Sequence, residues 1–238
     1  MKSQNHLKEI NNWTSKKKMK LNIKKTKNMI FNFTKKHQFF TQLTVNDEPI
    51  EVVKETKLLG TFITEDLKWD RNTEEIAKSA WKRMQLLCKS ANFTSNIMDL
   101  KSIYYTFIRS ILEKSAVVWH SSLTNKNRQT LERVQKAAVK IILKNNYRNY
   151  KQGLNYLKMD TLDERRRKLC LKFAKNCLKN EKVKGMFKKK TNLHIMKMRK
   201  QKYYEKRKIR TKRYQKSTIP YLTKLLKIED EEKKDLMV

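Results

Sequence analysis

Three cysteines, four histidines and a few adjacent acids are the residues of this 238-residue chain best suited to act on a substrate or to hold a metal. Their spacing supports neither. Cys88, Cys170 and Cys177 form no CxxC pair and have no histidine at a zinc-ligand interval. Cys170 and Cys177 lie two helical turns apart among Leu169, Phe173 and Leu178, which reads as a pair of core thiols. His6, His37, His120 and His194 are scattered along the chain. Among the acid pairs, Asp47-Glu48 fits a turn, while Glu74, Glu75 and Glu164 fit the first turns of helices, where a negative charge meets free backbone N–H groups. The glycines Gly60, Gly153 and Gly185 are far apart, so a Walker phosphate loop and a GxGxxG dinucleotide turn are both excluded.

The chemistry that the sequence does offer is cationic. Lys and Arg number 58 against 23 Asp and Glu, a net charge of +35, and self-repulsion on that scale opposes compaction unless a polyanion neutralises it. Two clusters stand out: Arg165-Arg166-Arg167, and the stretch 181–216, where sixteen Lys or Arg meet two acids. The second contains Lys206-Arg207-Lys208, Arg210, Lys212 and Arg213, interleaved with Tyr203, Tyr204 and Tyr214. Cations that neutralise phosphates release condensed counterions, which gives affinity with little sequence preference, and tyrosines can stack on unpaired bases. The plainer reading of the same charge is a solvated lysine-rich face, and a nuclear-import role for the last cluster is unspecific. No run approaches the ~18 apolar residues of a membrane span. The polar N-terminal residues and the odd thiol count suit a reducing intracellular compartment, nucleus or cytoplasm.

The elements that would position these charges change character along the chain. Leu7, Ile10 and Trp13 mark one face of a short helix. Met29, Phe31 and Phe33 alternate with Ile30, Asn32 and Thr34, the period of a strand. Residues 39–45 and 50–53 flank Asn46-Asp47-Glu48-Pro49, whose side chains and fixed φ predict a hairpin. Residues 58–63 read as a further strand, with Gly60 marking a bulge or the close approach of another backbone. From Thr73, a plausible N-cap, the period is helical. One stripe runs through Ile76, Ala80, Trp81, Met84 and Leu87, a second from Ile97 to Ile111, and a third from Leu131 to Ile142. Thr161 with Glu164 forms a capping-box pattern ahead of a fourth. Trp81 and Trp119 fall in these stripes and are expected in the core. Such helices joined by short polar links make a bundle. Beyond residue 180 the basic stretch is expected to be irregular or partly helical, and Ile219-Pro220-Tyr221-Leu222 with Leu225 and Leu226 suits a short docked helix before the acidic residues 229–232.

The order of these pieces resembles the C-terminal part of the reverse transcriptases of non-LTR retrotransposons, the jockey-like LINE group. Residues Lys20-Leu21-Asn22-Ile23-Lys24-Lys25-Thr26-Lys27 with Met29 and Phe31 look like the end of the palm. Lys57-Leu58-Leu59-Gly60-Thr61-Phe62-Ile63 with Leu67-Lys68-Trp69 is similar to the primer-grip hairpin. Tyr104-Tyr105, Val118-Trp119 and Leu131-Glu132-Arg133-Val134-Gln135-Lys136-Ala137-Ala138 look like the thumb, and Ser217 to Leu222 like its C-terminal end. The blocks span nearly the whole chain.

The resemblance implies an α+β chain, mostly α. It places a small antiparallel palm remnant over 1–70, a helical thumb over 71–180, and a basic, partly disordered tail with a short apolar segment over 181–238. It implies contacts to RNA or an RNA–DNA hybrid through the backbone. By the resemblance Lys24, Lys25 (the best match) and Lys27 would lie near nucleotide phosphates and Leu59 and Gly60 at the primer grip. The charge itself, apart from the resemblance, adds Arg165, Arg166, Arg167, Lys206, Arg207, Lys208, Arg210, Lys212 and Arg213 as phosphate contacts. The family's polymerase clamps two Mg²⁺ ions with palm aspartates, one pair in an aromatic-x-Asp-Asp strand, and no acid pair here has that form. The catalytic palm would precede Met1 and be a partner segment. No resident cofactor, small-molecule substrate or membrane partner is expected, and the chain should not polymerise by itself. A stand-alone basic RNA-binding module and a degenerate element remnant without selected activity remain the alternatives.

Overall fold

The computed structural model describes residues 2–34, 40–187, 209 and 211–235. Residues 206–208 and 210, with their predicted phosphate contacts, lie outside them, as does most of the tail expected to be irregular. The chain divides into two compact units, Met1–Asn72 and Thr73–Val238. The class is α+β and mostly α. Among the described residues, no helix is long and apolar enough to cross a membrane.

The first unit opens with α1 (Lys2–Lys16), the helix that the Leu7, Ile10, Trp13 spacing predicts. Its Gln4 side chain acts as a surrogate strand: Nε2 donates to Thr44 O at 2.8 Å and Oε1 accepts from Thr44 N at 3.1 Å. A single 3₁₀ turn (Ile23–Lys25) follows, held by Asn22 Oδ1 accepting from Lys25 N. The strands are β1 (Lys27–Asn28), β2 (Thr44–Val45), β3 (Glu48–Pro49), β4 (Glu51–Val52), β5 (Glu55–Leu58) and β6 (Thr61–Thr64). They pair two by two rather than as one antiparallel sheet: β1 with β4 in parallel, β2 with β3 and β5 with β6 antiparallel. Val45, Ile50 and Trp69 are the buried apolar residues.

Both hairpins turn through two residues of positive φ, Asn46 and Asp47 (49° and 63°) and Leu59 and Gly60 (49° and 82°), the signature of a type I′ turn. The first is a hairpin at the expected place, but its turn is Asn46-Asp47 alone: Glu48 and Pro49 already form its second strand, and residues 51–52 pair with β1 instead. In the second, Gly60 sits in the turn and not at a bulge within a strand, because residues 58–63 fold back on themselves with Leu58 opposite Thr61. The alternation at 29–33 builds no strand either. Phe31 and Phe33 stay about half exposed, so no sheet face gathers them.

The second unit is the helical bundle. Helix α2 (Asp70–Phe93) starts three residues before the N-cap expected at Thr73, which is instead buried beside Ala77, Ala80, Met84, Leu87 and Ala91. The stripe from Ile97 to Ile111 spans three segments: α3 (Ile97–Ile103), a π-helical stretch (Tyr104–Arg109) and α4 (Ser110–Glu113). After Ser115, in a left-handed conformation, come α5 (Ala116–Trp119), α6 (Asn125–Leu143), α7 (Tyr150–Leu157) and α8 (Leu162–Lys179). Thr124, Asn149 and Thr161 cap the last three, and the capping box of Thr161 with Glu164 is complete. Helix α7 crosses α6 so closely that a Cβ on Gly153 would stand 2.7 Å from Val139 Cγ1. Short helices α9 (Glu181–Lys184) and α10 (Lys212–Gln215) precede α11 (Thr218–Asp235), which packs on α8. Its Leu222, Leu225 and Leu226 close an apolar cluster with Cys170, Ala174 and Phe187.

Candidate nucleic-acid interface

Helix α6 carries the most ordered set of charges, and its two faces differ completely. Inward, Leu131, Val134, Ala138, Val139 and Ile142 are buried, and with them the polar Gln135. Gln135 is a hub: Oε1 accepts from the Tyr104 hydroxyl at 2.5 Å, while Nε2 donates to Tyr150 Oη at 3.0 Å and to Asp160 O at 2.9 Å. Tyr150 donates in turn to Glu132, which also accepts from Leu162 N at 3.2 Å, a free N–H of the α8 N-terminus. Burial and that carboxylate push the Tyr150 phenol far above its ordinary range, so it stays a donor.

Outward, α6 presents Lys126, Arg133, Lys136 and Lys140 at helical intervals, all exposed. Their spacing of seven, three and four residues puts them on one side of the helix over about 21 Å. Glu132 is the only acid of α6 and is engaged inward. The fifth cation, Arg128, pairs with Asp163 and donates to His120 O at 3.0 Å. No carboxylate answers the other four among the described residues, so the stripe faces solvent as positive charge.

On α8 the outcome is different. Arg165 Nε lies 3.1 Å from Glu113, which also meets Arg109 at 3.5 Å. Lys168 pairs with Asp160 at 2.6 Å, and Lys175 pairs with Glu229. Arg166 is fully buried, and this overturns its assignment to a phosphate contact. Three consecutive helical residues point about 100° apart, so the run Arg165-Arg166-Arg167 cannot share one surface. Of these three only Arg167 faces solvent with no ion-pair partner among the described residues, and Lys172 and Lys179 further along α8 are exposed in the same way. The Arg166 guanidinium lies 5.6 Å from the Trp119 ring and its Nε donates weakly to His120 Nδ1 at 3.4 Å, while Nη1 and Nη2 meet no partner among the described residues. Burial, with the charges of Arg166 and Arg128, lowers the His120 pKa to about 4, which keeps the ring neutral as an acceptor.

The remaining predicted positions divide further. Lys24 and Lys25 are exposed on the 3₁₀ turn. Lys27 is tied to Glu51 across the β1–β4 pair, which reduces its value to a phosphate. Leu59 is 88% exposed at its hairpin tip beside Gly60, an unusual place for a leucine because its side chain disfavours φ of 49°. Lys212 and Arg213 are exposed on α10. Trp119 is buried as expected, but Trp81 is 43% exposed, since it flanks rather than joins the alanine-rich buried face of α2. Cys170 is buried, which raises its thiol to about 11 and leaves it inert. Cys177 is only half-buried and Cys88 is exposed.

Among the described residues, no three His, Cys, Asp or Glu stand close enough to hold an ion. The acids have other duties: Asp66 takes the Thr64 hydroxyl and the Lys68 N–H, and although burial works to raise it, these bonds and the Lys68 ammonium hold it at about 2. The sequence signal for the α6 stripe was present but spread out, four cations in fifteen residues with Arg128 and Glu132 interrupting it. No family model matches the chain, and no curated protein or solved structure does either.

Proposed function

We propose that this chain is a nucleic-acid-binding module that grips a phosphate backbone along α6. On this reading it serves as the template–primer-holding part of an RNA-directed DNA polymerase of the non-LTR retrotransposon kind. One observation carries the binding reading: Lys126, Arg133, Lys136 and Lys140 form an exposed row that no acid among the described residues neutralises. The row suits a strand of regularly spaced phosphates, and lysine and arginine stems bring affinity through counterion release without reading bases. The polymerase setting is supported by the order of the sequence blocks from Lys20 to Leu222. Glu132 and Gln135 of the thumb-like block supply the inward bonds that hold α6 in place. The carboxylates for phosphoryl transfer would belong to another segment.

The binding reading is tested by titrating labelled RNA and RNA–DNA hybrid at two salt concentrations. With about four phosphates neutralised, a fourfold rise in salt should weaken single-strand binding roughly fiftyfold. The triple variant Arg133→Gln, Lys136→Gln, Lys140→Gln should lose affinity about tenfold or more and flatten the salt slope by about 2. Lys78→Gln, Lys82→Gln, Lys89→Gln on the exposed side of α2 removes the same charge and serves as the control. Equal losses in the two triple variants would mean that net charge alone, and not the α6 row, drives binding. Template-dependent primer extension by the pure chain with Mg²⁺ would overturn the assignment to a non-catalytic part.

A further inference from the structure

The α6 row has a defined end. Lys144, just past the helix with φ of 47°, turns its ammonium to Thr94 O at 3.1 Å. That bond ties the row to the corner between α2 and α3. The corner is braced twice more, by Asn96 N donating to Thr94 Oγ1 at 3.1 Å and by Met98 N donating to Asn96 Oδ1 at 2.9 Å. On this fixed corner stands Phe93, 91% exposed, the barest large apolar side chain among the described residues. Met98, in the first turn of α3, is also exposed. The buried side of α2 runs through Ala77, Ala80, Met84, Leu87 and Ala91, so the core makes no use of the Phe93 ring.

A bare aromatic ring at the end of a phosphate track has a natural occupant in the same molecule that the track would hold. We propose that Phe93 is a stacking platform for an unpaired base of a single strand whose backbone runs along α6. The proposal rests on the α6 reading and adds to it the strandedness of the ligand. Every base offers a π-face to a ring, so the platform is indifferent to sequence, whereas a duplex interior keeps its faces stacked on one another. Single strands should therefore bind more tightly than blunt duplexes of equal charge.

The test uses the full chain with a short single-stranded oligonucleotide, an abasic strand of the same length, and a blunt duplex. Phe93→Ala should weaken the normal strand about tenfold with the salt slope unchanged, and Phe93→Tyr should restore it. The abasic strand should bind the wild type about tenfold more weakly than the normal strand and be indifferent to Phe93→Ala. A Phe93→Ala variant that binds the normal strand as wild type does would overturn the platform; so would a wild type that prefers the duplex. A ring that seats a protein partner gives the same unmoved titrations and sinks the proposal equally. If the α6 triple variant still loses affinity in that case, the phosphate track stands without the platform; if that variant is silent too, the track itself has failed.

Discussion

Helices α6 and α8 are the two most basic helices of the bundle, and they differ in how their charges are met. On α8, Arg165, Lys168 and Lys175 are each met by a carboxylate, Arg166 is inside, and Arg167, Lys172 and Lys179 stay exposed with no carboxylate against them among the described residues. On α6, one cation is met and four are not. The α8 sequence is the more conspicuous, with three arginines in a row, yet four of its seven cations are paired or buried within the bundle. A local density of cations therefore identifies an interface only after the acids have been placed. The available carboxylates Glu113, Asp160 and Glu229 lie around α8, and the row on α6 is what they leave uncovered.

The contrast has its largest expected consequence on the inner side of α6. Gln135→Ala would strip partners from Tyr104, Tyr150 and Asp160 O at once and leave a void, so denaturant unfolding should show a loss of about 3–4 kcal/mol. A loss under about 1 kcal/mol would mean that the hub does not hold the helix that carries the row. Next in size is the pH dependence set by the burial of His120, with the charges of Arg166 and Arg128 beside it. The folded His120 titrates near 4 against about 6.5 when unfolded, so the unfolded chain binds more protons between these values. Stability contributed by neutral His120 is complete above pH 6.5 and falls by about 3 kcal/mol as the pH drops to 4. His120→Gln should show a smaller fall over this window than the wild type; parallel curves would remove the His120–Arg166 pair from the account. The smallest effect is on the outer side of α8. Arg165→Gln should cost no more than about 1 kcal/mol, as expected for a half-exposed ion pair, and leave nucleic-acid affinity unchanged. A drop in affinity as large as that of the α6 triple variant would erase the distinction between the helices.

Much of this was legible in the sequence where a local rule decides the outcome. Thr161 and Glu164 announce the start of α8 because a capping box is satisfied within four residues, and Asn46-Asp47 announces a turn because both tolerate positive φ. The α6 row was written in the sequence as well, but at intervals of three, four and seven that the eye passes over in favour of contiguous runs. Arg166 was not legible. Its burial depends on Trp119 and His120, which lie more than forty residues away, and nothing in Arg165-Arg166-Arg167 says which arginine turns inward. Phe31 and Phe33 failed for a related reason, since alternation yields a strand only where another strand offers a ladder. Phe93 reads from sequence as one more apolar residue at a helix end. Only its exposure on a braced corner sets it apart.

The cluster that seats α11 fixes both ends of the most basic stretch. Phe187 enters it from one side of that stretch and Leu222 from the other. Cleavage of the chain anywhere between these two residues would therefore leave α11 held on the bundle by non-covalent contacts alone, with no backbone tie to α8.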